Sequence, residues 1–230
     1  MNEKTTVVPS GYYDYVYRFM YFILLPLAPK IPARITPNQI TVISFTAAMI
    51  GTILLAVIHT PVAFLYWMLF NFLWLVFDSL DGMHARLTGQ SSEFGGFLDH
   101  ALDCIYFIFM LTVFSIKFDL LFPLYIYILI LRTTAATMVF LIQFHTGKML
   151  LSRFSGGLEF MLFNIVMLLS YCYPHINPAD LTANPFLLHW INLLHLQQGM
   201  FMKLVLLVYF VGVPINFILQ FRFVKNELRS

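Results

Sequence analysis

Charge is scarce in this sequence: Asp, Glu, Lys and Arg make up only 10% of 230 residues, whereas 60% are hydrophobic and the mean hydropathy is +0.81. Soluble domains carry about a quarter charged residues, so a soluble fold is excluded and the bilayer must be the solvent for most of the chain. The net charge of +2, with no basic run interleaved with aromatics, excludes a nucleic-acid partner. Cysteine is nearly absent too. Cys104 and Cys172 fall inside apolar segments without the spacing of a metal knot or a disulfide framework, and read as packing residues. The opening MNEKTTVVPS lacks the apolar core and small-residue cleavage site of a cleaved leader, leaving the first spans as insertion signals. No tandem soluble domain, coiled coil, low-complexity tract or short repeat interrupts the pattern. The expectation is one domain, 1–230, with an N-terminal interfacial segment over 1–35 and a membrane core over 36–230.

What the chain has is length of apolar run. Stretches near the roughly 20 residues that cross a bilayer lie at about 38–59, 62–86, 93–116, 120–145, 152–173 and 199–221. The predicted fold is therefore an all-α integral membrane protein of six transmembrane helices. Residues 12–29, aromatic-rich with Asp14 and Arg18 one turn apart, suit an amphipathic helix lying in the interface ahead of them, and Pro26 and Pro29 argue against another span there. Thr36, Pro37 and Gln39 give the first span an N-cap, a first-turn proline and a capping box. Pro61 opens the second span, and Ser91 or Ser92 the third, with Glu93 in its first turn.

An even number of spans puts both termini on one side. Lys4, Arg18, Lys30, Arg34, Arg86, Lys148, Arg153, Arg222, Lys225 and Arg229 share that side, against Lys117 and Lys203 opposite, so the termini are expected in the cytosol. The loop at 174–198 then faces away, and its PFLLHWINLLHLQQG piece suits the membrane surface.

Against this apolar background, Asp78, Asp81, Asp99 and Asp103 fall within a single stretch of 26 residues. A charge at membrane depth costs at least a few kcal/mol unless paired or hydrated, and reads by default as function. Asp78 and Asp81 are three residues apart, Asp99 and Asp103 four apart, so each pair shares a helix face. Asp78, Gly82 and Ala85 make one stripe, flanked by Arg86, and Gly95, Asp99 and Asp103 a second, with His100 beside it. Small residues next to acids let another helix or a ligand approach the backbone. An all-oxygen acidic set favours Mg²⁺ or Mn²⁺ over zinc, and four acids can hold two ions that clamp a diphosphate. Arg86 supplies fixed positive charge.

The run Asp78-x-x-Asp81-Gly82-x-x-Ala85-Arg86, eight residues, then Gly95-x-x-x-Asp99-x-x-x-Asp103 resembles the signature of the CDP-alcohol phosphotransferase (CDP-alcohol phosphatidyltransferase) family at all eight defining positions. The resemblance implies a six-helix membrane enzyme, usually a homodimer, that moves a substituted phosphate from a CDP-alcohol to a second alcohol and releases CMP. It implies that Asp78, Asp81 and Asp99 hold the metals, with Asp103 a further ligand and candidate base. It also implies that Gly82, Ala85 and Gly95 make room for the nucleotide and that Asn38 lies near the cytidine, while Arg86 offers its positive charge either to phosphates or to orient an acid. His84, Thr88-Gly89-Gln90 and the Asp99-His100 pair look like the branch that uses CDP-choline or CDP-ethanolamine with diacylglycerol. Leu87, where that branch commonly has a second arginine, departs from it, as does the short chain. The alternative is a CDP-diacylglycerol-dependent enzyme acting on glycerol 3-phosphate, serine or inositol.

Other residues carry paired readings. His100 is either the base that deprotonates the acceptor hydroxyl or a partner of Asp99 or Asp103. His84 is expected at the cytosolic rim. Arg132 and Glu159, both at membrane depth, are expected to pair, with a phosphate or headgroup as the other reading for Arg132. Arg153 suits either a substrate phosphate or a positive-inside anchor. A cation transporter is the remote alternative; its acids would be spread over several helices with breaks at mid-membrane, not clustered at one end. An aspartyl protease would leave Gly82, Ala85 and Arg86 unexplained.

Overall fold

Thr36 starts the first long helix as its sequence demands: its Oγ1 accepts from the Gln39 N–H at 3.3 Å while Gln39 Oε1 accepts from the Thr36 N–H at 2.9 Å. Pro37, at the first helical position, has no N–H to leave orphaned. The computed structural model describes residues 14–120, 122–146, 156–174, 182–193 and 200–227. Within them run α1 (Tyr15–Leu24), a short 3₁₀ turn (Ala28–Lys30), α2 (Pro37–Val57), α3 (Val62–Thr88), α4 (Glu93–Lys117), α5 (Phe122–Thr146), α6 (Gly156–Cys172), α7 (Pro185–Leu193) and α8 (Met200–Glu227). There is no strand among the described residues. α3 follows Pro61 and stops at Gly89, whose φ of 68° is the left-handed cap that glycine adopts at little cost. Ser92 then caps α4, its Oγ accepting from the Gly95 N–H at 3.0 Å.

α2, α3, α4 and the Met200–Leu219 part of α8 are each long and apolar enough to cross a membrane. Shorter apolar helical stretches cover Phe122–Met138 and Gly157–Cys172. The protein is thus an all-helical, multi-pass membrane protein. The expected fifth span, 152–173, begins among residues outside the description, where Lys148, Arg153 and the 175–181 and 194–198 parts of the loop at 174–198 also lie.

α3 is the hub. It packs against α1, the 3₁₀ turn, α2 and α6, while α2 also meets α4, α4 meets α5, and α8 rests on α5 and α6. Lipid tails are as apolar as the helices, so association relies on close fit and internal polar bonds instead of hydrophobic drive. Gly51 supplies the fit between α2 and α3, because a Cβ there would come within 2.6 Å of Phe70 Cβ. Ser44 Oγ adds a bond to the Trp74 carbonyl at 2.9 Å. Trp67, Phe114 and Phe163 pack in sequence, tilted and then edge to face with centroids 5.5 and 5.4 Å apart, joining α3, α4 and α6.

Buried charges find partners. Arg132 Nη2 donates to Glu159 Oε2 at 2.7 Å, joining α5 to α6, and its guanidinium lies 4.6 Å from the Phe107 ring. The expected pairing is therefore present, and the pair satisfies the charge at membrane depth. Lys117 Nζ donates to the Ile58 carbonyl just beyond α2 at 2.6 Å. His84 departs from expectation. It is 0% exposed instead of facing the rim, and its Nε2 bonds the Ile35 carbonyl at 2.8 Å, tying α3 to the segment before α2. The physical reason is that the partly buried Ile35 carbonyl, ahead of α2, takes its hydrogen-bond partner from the side chain that α3 turns toward it.

Gly51→Leu should lower thermal stability in detergent by about 1–3 kcal/mol through overpacking. Gly96→Ala, with nothing within 4 Å of the added Cβ, should leave it unchanged or raise it by up to about 1 kcal/mol.

Candidate functional site

The turn at Gly89–Ser92 folds α4 back on α3, so the last turns of one helix face the first turns of the other. That turn brings the two carboxylate pairs together. One oxygen from each of Asp78, Asp99 and Asp103 lies within 4.8 Å of the others, and all three side chains are partly accessible. Two of them are backed by neighbouring side chains: the Tyr17 hydroxyl of α1 reaches Asp78, and the Trp74 indole of α3 reaches Asp103. Asp81 stands beside this trio but turns toward α2, where its Oδ2 accepts from Thr41 Oγ1 at 2.6 Å. The structure thus gathers three of the expected four ligands and anchors the fourth, Asp81, buried against α2.

Next to the acids, the floor is nearly free of side chains. A Cβ on Gly82 would meet the Arg86 guanidinium at 3.2 Å, so Arg86 folds along α3 over that glycine. The same guanidinium lies 5.7 Å from the Tyr21 ring and bonds the Tyr21 hydroxyl. A Cβ on Gly95 would meet Asn38 Oδ1 at 3.1 Å, which places the first turn of α2 against the first turn of α4. Ala85 lies one turn beyond Asp81 on α3, partly accessible. Asn38, Gly82, Ala85, Arg86 and Gly95, spread over more than fifty residues of sequence, therefore come from three helices that share one end of the bundle.

His100 lies at the edge. Its Nδ1 is 3.9 Å from Asp99 Oδ2, too long for a direct hydrogen bond, and its side chain is 22% exposed. Arg132 stands away from the acids, engaged by Glu159, in a crevice with Leu162, Val208 and Tyr209.

The donor set is all carboxylate, with no thiolate or imidazole among the three converging oxygens. A cation would relieve the repulsion among carboxylates so close, and hard oxygen ligands suit Mg²⁺ or Mn²⁺. The residues fit such an ion. Tyr17, Thr41 and Trp74 are the functional side chains that sequence reasoning misses. A hydroxyl or indole in an aromatic, apolar helix carries no local mark of what lies across the interface. The weak signal available is Thr41 itself, a polar residue one turn after the capping box on the face α2 buries.

A multi-pass helical membrane protein whose short helical hairpin presents converging carboxylates beside a glycine floor defines a class of membrane enzyme. Residues 34–211 match the family model described as CDP-alcohol phosphatidyltransferase, and the chain belongs to that family. It is similar to an uncharacterized CDP-alcohol phosphatidyltransferase class-I family protein of Schizosaccharomyces pombe, with 33% identity over 58% of this chain and 36% of that one. It is also similar to the archaetidylinositol phosphate synthase of Pyrococcus horikoshii, 39% identical over 30% of this chain and 35% of the relative. The choline/ethanolaminephosphotransferase 1 of Saccharomyces cerevisiae is 33% identical over 43% of this chain and 25% of its own length. The matched segments thus span about a third or less of these relatives.

Thr41→Val should cost about 1–3 kcal/mol of thermal stability by leaving a buried Asp81 oxygen without its donor. Thr41→Ser, which keeps the hydroxyl, should recover most of it.

Proposed function

We propose that the chain is a metal-dependent transferase that moves a phosphocholine- or phosphoethanolamine-type group from its CDP derivative to a lipid alcohol such as diacylglycerol, releasing CMP. The observation that carries this reading is the convergence of Asp78, Asp99 and Asp103 within 4.8 Å of one another beside Gly82 and Arg86. The membrane supplies the acceptor, and the site sits at the end of the bundle that the positive-inside rule assigns to the cytosol. The reading takes the chain as one domain with six spans, α1 lying amphipathically in the interface, working as a homodimer. Support for the spans comes from the apolar stretches of α5 and α6, which supplement the four full-length helices. The exposed Tyr15, Phe19 and Phe22 on the outer face of α1 support its interfacial placement.

In this reading Asp78, Asp99 and Asp103 hold Mg²⁺ or Mn²⁺, and Asp81, steadied by Thr41, completes a set able to hold two ions. Bound there, the metal would neutralise the donor diphosphate and the charge that develops on the departing CMP. Gly82, Ala85 and Gly95 leave the backbone open for the nucleotide, Asn38 offers an amide to the cytosine, and Arg86 faces phosphate oxygens. The acceptor hydroxyl oxygen bonds to the phosphorus of the transferred group as the bond from that phosphorus to the bridging oxygen breaks. CMP leaves with that oxygen, and the hydroxyl proton passes to a base. His100 is assigned that role because it is partly exposed at the edge of the cluster, whereas Asp103 is engaged by Trp74 among the other carboxylates.

The relatives' names differ in the alcohol they specify, inositol phosphate in one and choline or ethanolamine in another. The aminoalcohol reading is favoured by Asp99-His100 and by Thr88-Gly89-Gln90. Purified full-length protein with Mg²⁺ should release CMP from CDP-choline or CDP-ethanolamine with diacylglycerol. Turnover with CDP-diacylglycerol alone, given glycerol 3-phosphate, serine or inositol, would instead make it a phosphatidyltransferase for polar alcohols.

Asp78→Asn and Asp99→Asn should each reduce CMP release to background while the protein stays folded; persistent turnover in both would remove the site from the reaction. His100→Ala should slow turnover more than about tenfold, since a general base usually contributes 10²–10⁴. A smaller loss would pass the role to Asp103.

A further inference from the structure

Asp14 caps two helices at once. Its Oδ1 accepts from the Val16 and Tyr17 N–H groups at 2.9 and 3.2 Å, closing the first turn of α1. Its Oδ2 accepts from the Gly157 N–H at 2.9 Å in the first turn of α6, 143 residues along the chain. The carboxylate is buried, and the lack of a side chain at Gly157 is what admits it, since a Cβ there would occupy the space of both Asp14 oxygens. One anion thus meets the positive ends of two helices.

From this anchor α1 turns Tyr17, Met20, Tyr21 and Leu24 inward. Met20 and Leu24 do ordinary packing. The two tyrosines, one turn apart on the same face, reach further: the Tyr17 hydroxyl reaches Asp78, and Tyr21 carries the Arg86 guanidinium on its ring and hydroxyl. A helix that only needed to cover the bundle would be served by apolar side chains at both positions. Instead its hydroxyls meet one acid of the carboxylate trio and the arginine beside it.

We infer that Asp14, Tyr17 and Tyr21 are positioning residues: the double cap fixes α1 so that Tyr17 orients Asp78 toward a bound metal and Tyr21 orients Arg86 toward the donor diphosphate. This rests on the reading of Asp78 as a metal ligand. Groups that orient ligands typically matter by 10–100-fold in metal affinity or activity when removed.

The test uses the full chain in lipid nanodiscs, with Mn²⁺ binding followed by electron paramagnetic resonance, melting temperature, and kcat and KM for CMP release. Tyr17→Phe, which removes one oxygen, should weaken Mn²⁺ binding about tenfold or more while the melting temperature holds. Gly157→Ala, which displaces the Asp14 cap without substituting any residue of α1 or the acids, should weaken Mn²⁺ binding in the same way, and combining it with Tyr17→Phe should add little further. Tyr21→Phe should raise KM for the CDP-alcohol more than it lowers kcat. A fall in melting temperature in Gly157→Ala with Mn²⁺ affinity unaltered in it and in Tyr17→Phe would reduce α1 to packing and overturn the inference. Absence of Mn²⁺ binding by the unmodified protein would also overturn it. Mn²⁺ binding that is lost in Tyr17→Phe, in a protein that releases CMP from none of the CDP-alcohols, would sustain the positioning role and defeat the transferase reading alone.

Discussion

Three carboxylates with oxygens inside 4.8 Å of one another, at the end of an apolar helical bundle, are the constraint to which the surrounding structure answers. At an effective dielectric of about 20, each ionised pair at that distance repels by roughly 3 kcal/mol, and removing the acids from water adds a further cost. Hydrogen bonds alone do not offset this. Thr41 donates one bond to Asp81, Tyr17 and Trp74 reach Asp78 and Asp103, and Arg86 is the cation beside the glycine floor. The arrangement makes chemical sense when a divalent cation supplies the missing charge.

The fold makes this cluster geometrically possible. A four-residue turn, opened by left-handed Gly89 and closed by the Ser92 cap, sets α4 back against α3. Gly51 lets α2 close on α3, which brings Thr41 to Asp81 and sets Asn38 against Gly95. His84, buried against the Ile35 carbonyl, fixes the segment leading into α2 from the other side. Away from the site, the Arg132–Glu159 pair joins α5 to α6 without using the acids. Small residues on the floor and bulky aromatics beneath it divide the labour: glycine admits ligand and backbone, while Trp67, Phe114 and Phe163 hold the helices apart at fixed distance.

Much of this was legible in the sequence because it is local. The capping box at Thr36 and Gln39, the start of α4 at Ser92 and the break near Pro61 are signals read within four residues, and the helices begin where they predict. The acids share helix faces through three- and four-residue spacing, and a family signature confined to 26 residues made the class readable. Arg132 and Glu159 were paired by elimination, as the charges left over at membrane depth. The contacts that escaped prediction join residues far apart in the chain: Thr41 to Asp81 across 40 residues, His84 to Ile35 across 49, Asp14 to Gly157 across 143. Periodicity says which face a residue occupies and nothing about the element opposite. His84 shows the consequence, since its position near a helix end suggested water and the fold gave it a loop carbonyl.

In the proposed function the carboxylate trio binds a metal which in turn contacts the donor diphosphate. Pulsed electron–nuclear double resonance on the full chain with bound Mn²⁺ and a CDP-alcohol measures that contact through the phosphorus nuclei. The expected result is ³¹P hyperfine couplings from the diphosphate that disappear in Asp99→Asn. Bound Mn²⁺ without phosphorus coupling, or coupling that survives Asp99→Asn intact, would contradict it.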